Sequence, residues 1–100
     1  MEGRYDIAII GSGPAGLSAA INSKIRNKSI IIFGNAEFSR KLIRAPKINN
    51  YLGFYDVSGA ELKEKFESHI NNMGISLTYE KVNAVYAMGE YYSLLVNEKM

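Results

Sequence analysis

Tyr5-Asp6-Ile7-Ala8-Ile9-Ile10-Gly11-Ser12-Gly13-Pro14-Ala15-Gly16-Leu17-Ser18-Ala19-Ala20 is the stretch that decides the fold. Its first six residues are short, apolar and β-branched, the pattern of a strand buried on both faces in a parallel sheet. Three glycines follow in a Gly-x-Gly-x-x-Gly spacing. Pro14 to about Arg26 then carries Ala15, Leu17, Ala19, Ala20, Ile21 and Ile25 with no breaker after Gly16, which predicts a helix. Each glycine has its own reason. Gly11 permits the turn out of the strand, Gly13 lets the backbone approach a pyrophosphate, and Gly16 lets helix and strand pack closely. The first-turn amides and the helix dipole favour an anion there, and Pro14 sits where its missing N–H matters least. The turn therefore reads as a phosphate site for a dinucleotide rather than as a bare tight turn.

Working outward, Asn27-Lys28 closes the helix and Ser29-Ile30-Ile31-Ile32-Phe33 forms a second buried strand, stopped by Gly34-Asn35. A strand–helix–strand crossover is right-handed, with parallel strands. In many dinucleotide sites an acidic residue at the end of this second strand binds a ribose hydroxyl. Here that place falls at Gly34, followed by Asn35 and Ala36, and Glu37 lies further along. The missing carboxylate argues against NAD. Asn35 is either a weaker ribose ligand or a turn residue.

Residues 35–57 have no clear periodicity, although part of Phe38–Leu42 fits a helical turn. A long irregular stretch in a small domain is usually functional or mobile. Ser58-Gly59-Ala60-Glu61 fits a capping box. The helix it opens has Leu62, Phe66, Ile70 and Met73 on one stripe and ends at Asn72-Met73-Gly74. Residues 75–79 alternate as a third strand. Residues 82–87 and 91–96 read as a hairpin around Met88-Gly89-Glu90.

Composition narrows the chemistry. The 100 residues suit one domain, and a net charge of +2 suggests neither a nucleic-acid nor a membrane partner. With no cysteine there is neither a disulfide nor dithiol chemistry within this sequence, and a single histidine makes no zinc site. No apolar run is long enough to span a membrane, and the first residues do not resemble a signal peptide, so a cytoplasmic location is expected. His69 reads as a half-exposed structural residue. Glu61, Glu64 and Glu67 with Lys63 and Lys65 read as a solvated face, and Arg40-Lys41 as a solvated basic turn. One of Tyr91 and Tyr92 is expected in the core and the other at the surface.

Tyr5 to Ala20 resembles the start of FAD-dependent disulfide reductases. Asn49-Asn50-Tyr51-Leu52-Gly53-Phe54 and Val57-Ser58-Gly59-Ala60-Glu61-Leu62 resemble the Glu-Asn-Tyr-Pro-Gly-Phe and Ser-Gly-x-x-Leu stretches of thioredoxin reductases, and the similarity runs to about Ala87. The resemblance implies FAD, with Gly11, Ser12, Gly13, Pro14 and Ala15 lining the pyrophosphate and Gly16 holding the turn against the helix. It places Gly34 and Asn35 beside the adenosine ribose, Leu42 close to the flavin, the Asn50 side chain on the cofactor, and the Val82 backbone at the adenine. Two departures touch this pattern: Ser39-Arg40-Lys41 replaces Gly-Gly-Gln, and Leu52 replaces the proline of the turn. Tyr51, Phe54 and Tyr55 either wall the flavin or pack the loop, and their loop position favours the cofactor role.

Family members are usually homodimers that pass electrons from NADPH, or in some relatives ferredoxin, through flavin to a Cys-x-x-Cys pair and on to thioredoxin. The expectation is an α/β, Rossmann-like but incomplete FAD-binding domain in which residues 1–100 form its N-terminal portion. It comprises a parallel sheet, two helices and a small antiparallel hairpin, with no catalytic residue and no metal. Two alternatives remain: a non-catalytic fragment or truncated product holding FAD weakly or not at all, and part of an NAD-dependent or other FAD-dependent oxidoreductase.

Overall fold

The computed structural model describes residues 3–34 and 36–97, with the side chains of 36–39 outside the description. The strand before the glycine turn is β1 (Ile7–Ile10), followed by α1 (Pro14–Ile25) and β2 (Ile30–Phe33). β1 and β2 pair in parallel, Ile7 opposite Ile30 through Ile10 opposite Phe33. At their open end Asp6 and Ser29 clasp the strands together. The Asp6 carboxylate accepts from the Ser29 amide at 2.8 Å and from its hydroxyl at 3.1 Å, and the Asp6 amide donates back to that hydroxyl at 2.9 Å. Asn27 closes α1 in the left-handed conformation at φ 58°.

The irregular middle of the chain is more ordered than its composition suggests. Ala36–Ile43 is an eight-residue helix, α2, where only a helical turn over 38–42 was expected. No breaker interrupts the run before Arg44. The residue before Pro46 is disfavoured in the α conformation, which ends the helix there. Residues 47–57 then double back on themselves. Ile48 bridges Val57 and Tyr51 bridges Phe54, both antiparallel. The Asp56 amide donates to Asn49 Oδ1 at 2.8 Å, and Lys47 pairs with Asp56 at 2.9 Å.

α3 (Gly59–Asn72) starts at the expected capping box. Ser58 Oγ accepts from the Glu61 amide at 3.1 Å, and Glu61 Oε1 accepts from the Ser58 amide at 3.2 Å. On the solvated face Lys63 and Glu67 pair at 2.9 Å. Gly74, at φ 71°, ends the helix. Residues 75–79 do not form the full strand expected of them. They contribute one parallel bridge, Thr78 to Phe33, with the Thr78 amide donating to Ile32 and the Gly34 amide donating to Thr78, each at 2.8 Å. The order across the sheet is thus β1, β2, Thr78. β3 (Val82–Ala87) and β4 (Tyr92–Val96) complete the chain as the expected antiparallel hairpin.

Three layers result. Ile9 and Ile32 face the helices and pack with Leu17, Ala20, Ile70 and Ile75. Ile31 and Phe33 face the other way and pack beneath the hairpin with Val82, Leu94 and Val96. β2 is therefore buried on both faces as its sequence predicts. β1 is not: only Ile9 is buried, while Ile7 is 37% and Ile10 57% exposed. The hairpin covers β2 and stops short of β1, which among the described residues has a single strand neighbour. Tyr91 and Tyr92 are both exposed, correcting the expected split between core and surface. They flank the hairpin turn, and the Arg4 guanidinium lies 4.7 Å from the Tyr91 ring centre. No described helix is long and apolar enough to cross a membrane.

Candidate functional site

The site grows out of the C-terminal end of β1. The Gly11 amide donates to Phe33 at 2.9 Å and extends the sheet by one rung. Gly11 then turns the chain at φ +122°, a conformation that L side chains rarely adopt, although space around it is open. Gly16 is a glycine for a different reason. A β-carbon there would overlap the Gly11 carbonyl, with the carbonyl carbon at 2.9 Å and Ile9 Cγ2 at 3.5 Å. The third glycine thus holds the first turn of α1 against the start of the loop.

Gly13 caps α1 at φ −75° and ψ −176°, values open to any residue. Backbone conformation does not demand glycine there. Pro14 follows at the first helical position. The first rung of α1 is the Leu17 amide donating to Gly13 at 2.9 Å, so the amides of Ala15 and Gly16 precede the helical ladder. Among the described residues no side-chain hydrogen bond caps this helix, and its first turn holds no acidic residue. α3 provides the contrast, because its N-terminus is closed by Ser58 and Glu61. Of these two helix starts in one small fold, the one behind the glycine turn lacks side-chain capping. An oxygen-rich anion such as a pyrophosphate fits this end by charge and by shape.

Other predicted residues gather around the turn. Ser12 is buried at 8% exposure, and a β-carbon on Gly34 would lie 3.1 Å from its hydroxyl oxygen. Leu42 of α2 joins Ser12, Leu77 and Tyr79 around a small cavity of about 30 Å³. The structure therefore brings the turn, the end of β2 and α2 together. Asn50 lies on the exposed loop beyond them, and among the described residues no hydrogen bond holds its side chain. Val82 stands in the hairpin layer, packed with Ile31 and Phe33. Asn35 lies outside the described residues, as does the Glu37 side chain.

A larger cleft of about 340 Å³ opens from Pro14 along α1 and is walled by Tyr51, Phe54 and Phe66. Ring centres lie 5.5 Å apart for Tyr51–Phe66 and 6.3 Å for Tyr51–Phe54. Tyr55 is 80% exposed, whereas His69 and Lys65 line the cleft. Two further participants escaped the sequence reading. Thr78 supplies the carbonyl that takes the Gly34 amide, and Gly59 is buried where the end of α2 meets α3. The Ser-Gly-x-x-Leu spacing already contained the signal for Gly59, but as a capping-box neighbour it carried no hint of the contact.

Comparisons with known proteins agree with this geometry. The FAD binding domain family matches residues 6–45. A thioredoxin reductase of Ureaplasma parvum is 33% identical over 87 residues, and one of Mycoplasmopsis pulmonis is 41% identical over 78 residues. These alignments cover 87% and 78% of this chain but only 28% and 25% of the relatives. Among solved structures, a ferredoxin-flavin thioredoxin reductase from Clostridium acetobutylicum is 66% identical with a TM-score of 0.91, covering 99% of this chain and 34% of its own. The thioredoxin reductase of Streptococcus pyogenes is 30% identical with a TM-score of 0.77, covering 94% of this chain and 31% of its own. By sequence and by fold the chain is thioredoxin reductase-like, and the FAD binding domain family that it matches over residues 6–45 indicates FAD as the cofactor.

Proposed function

We propose that this chain, as a single unit, holds the adenylate and pyrophosphate of FAD in a flavoprotein that passes electrons through the flavin to a disulfide of a thioredoxin-like protein. The observation that carries the proposal is the N-terminus of α1, capped by no side-chain hydrogen bond among the described residues and fronted by a glycine whose backbone angles do not require glycine. The amides of Gly13, Ala15 and Gly16 would meet the pyrophosphate, and Pro14 would present the open mouth of the cleft. Gly34 and Asn35 would lie by the ribose, Val82 by the adenine, and Leu42 and Asn50 toward the flavin. Bound flavin would supply the redox chemistry. The sequence contains no cysteine, so the dithiol that exchanges with the disulfide belongs to another segment or polypeptide.

For the electron donor, the 66% identity to a ferredoxin-flavin thioredoxin reductase, against 30% for the thioredoxin reductase of S. pyogenes, favours ferredoxin over NADPH. The cofactor assignment is tested by titrating the purified chain with FAD and, separately, with NADH. Saturable quenching of flavin fluorescence with a shifted visible band, and no binding of NADH, is the expected result. No retention of FAD at high protein concentration, or preference for NADH, would overturn it.

A further inference from the structure

We propose that Ser12 and Gly34 form a size-matched pair that positions the phosphate turn and excludes a ribose-binding side chain from the end of β2. The inference rests on the FAD reading and goes beyond a list of lining residues. In a dinucleotide fold the end of the second strand is the place from which an acidic side chain reaches the ribose. Here that place is Gly34, and the β-carbon of a side chain there would crowd Ser12. A β-carbon on Gly34 would meet Ser12 Oγ at 3.1 Å, Ser12 Cβ at 3.3 Å and Leu77 Cδ1 at 3.5 Å. The first two are tighter than ordinary side-chain contacts, so Ser12 must give by a few tenths of an ångström before a side chain fits at 34.

Ser12 is buried between two fixed points of backbone. On one side the Gly11 amide is bonded to Phe33 at 2.9 Å; on the other the Gly34 amide is bonded to Thr78 at 2.8 Å. Leu77 belongs to the segment whose bridge to Phe33 locks that strand end. The variable residue of Gly-x-Gly is thus packed against the strand that would otherwise supply the acidic ligand. A side chain at 34 must push Ser12, whose backbone is continuous with Gly11 and Gly13 on either side of it. The missing carboxylate and the serine are two halves of one arrangement. Ser12 acts on the cofactor by fixing where the turn sits, as a positioning residue, and its bulk selects against the acidic mode of ribose recognition.

The test is a double-mutant cycle on the whole chain with Ser12→Ala, Gly34→Glu and the pair, read as FAD dissociation constant and as melting temperature without FAD. Gly34→Glu alone is expected to weaken FAD by about tenfold, and adding Ser12→Ala to recover most of that loss, the size of coupling usual for residues in contact. Ser12→Ala alone should weaken FAD by only about twofold to threefold, since it leaves the Gly34 side open rather than crowded. Additive losses in FAD affinity, with no recovery in the pair, would overturn the proposal. Recovery in melting temperature without recovery in affinity would also overturn it, leaving only a packing contact. If the unaltered chain binds no FAD, the cofactor reading falls and the positioning role falls with it. A melting-temperature coupling in that case would identify the cofactor reading, not the geometry, as the part that failed.

Discussion

The carbonyl oxygen of Leu42 occupies the place where a β-carbon on Gly59 would stand. Around this contact the Ala45 amide donates to Leu42 at 3.1 Å and the Gly59 amide to Ala45 at 2.9 Å. The end of α2 is therefore seated on the first residue of α3 with no space between them. Gly59→Ala forces backbone against backbone and is expected to cost about 1–3 kcal/mol, the range for overpacking a tight core. Urea denaturation of the two proteins measures it. An unchanged midpoint would mean that α2 docks elsewhere.

Gly13→Val should separate binding from folding. The backbone at Gly13 lies in the extended region that valine favours, so the variant keeps its helix content by circular dichroism. Its side chain would stand in the path of the phosphates, and FAD titration should show no saturable quenching. Retained affinity would show that the phosphates do not approach this residue.

The capping box of α3 makes a quantitative claim. Ser58→Ala removes the hydroxyl that serves the Glu61 amide and should lower stability by about 1 kcal/mol, while Ser58→Gly should lower it by only a few tenths. Thermal unfolding distinguishes the two. No loss in either variant would mean that water replaces the hydroxyl.

The Asp6–Ser29 clasp predicts an acid limb. The backbone amide of Ser29, then its hydroxyl, hold the Asp6 carboxyl below its ordinary range, with Lys28 adding a smaller pull in the same direction. A group whose folded value is lowered stabilises the fold above its unfolded value, and that contribution is lost as pH falls through the folded one. The chain should therefore lose stability below the usual carboxylate range, and Asp6→Asn should flatten that part of the profile. The group is fully exposed, so the effect should be small. A profile through acid pH that Asp6→Asn leaves unchanged would show that the clasp does not contribute.

How far this could be read from sequence depends on the range of each interaction. The turn at Gly11, the close packing at Gly16, the β2 run and the Ser58–Glu61 box are local signals whose physical reasons act within one turn of chain, and the structure shows them as read. α2 was harder to see because a short basic helix acquires its stability from docking on Gly59, a contact that propensity does not register. Residues 75–79 alternate well, yet only Thr78 pairs, because the bridge length depends on where β2 ends. The expected burial of β1 failed because an apolar strand reports what can cover it, not what does. At the site, the missing acid near Gly34 was legible. Its cause, the Ser12 side chain packed on that glycine, is a contact across 22 positions of sequence that no periodicity announces.

The half-covered state of β1 also governs how the purified chain behaves in bulk. Ile7 and Ile10 stand in water along a strand whose second row of backbone groups has no strand partner among the described residues. An edge of that kind is a template for further strands, and the chain carries little net charge to keep copies apart. This margin is therefore a place where copies of the chain would associate. A lysine in place of Ile10 would keep the strand and discourage stacking, giving a protein that stays dispersed at concentrations where the unaltered sequence begins to scatter light.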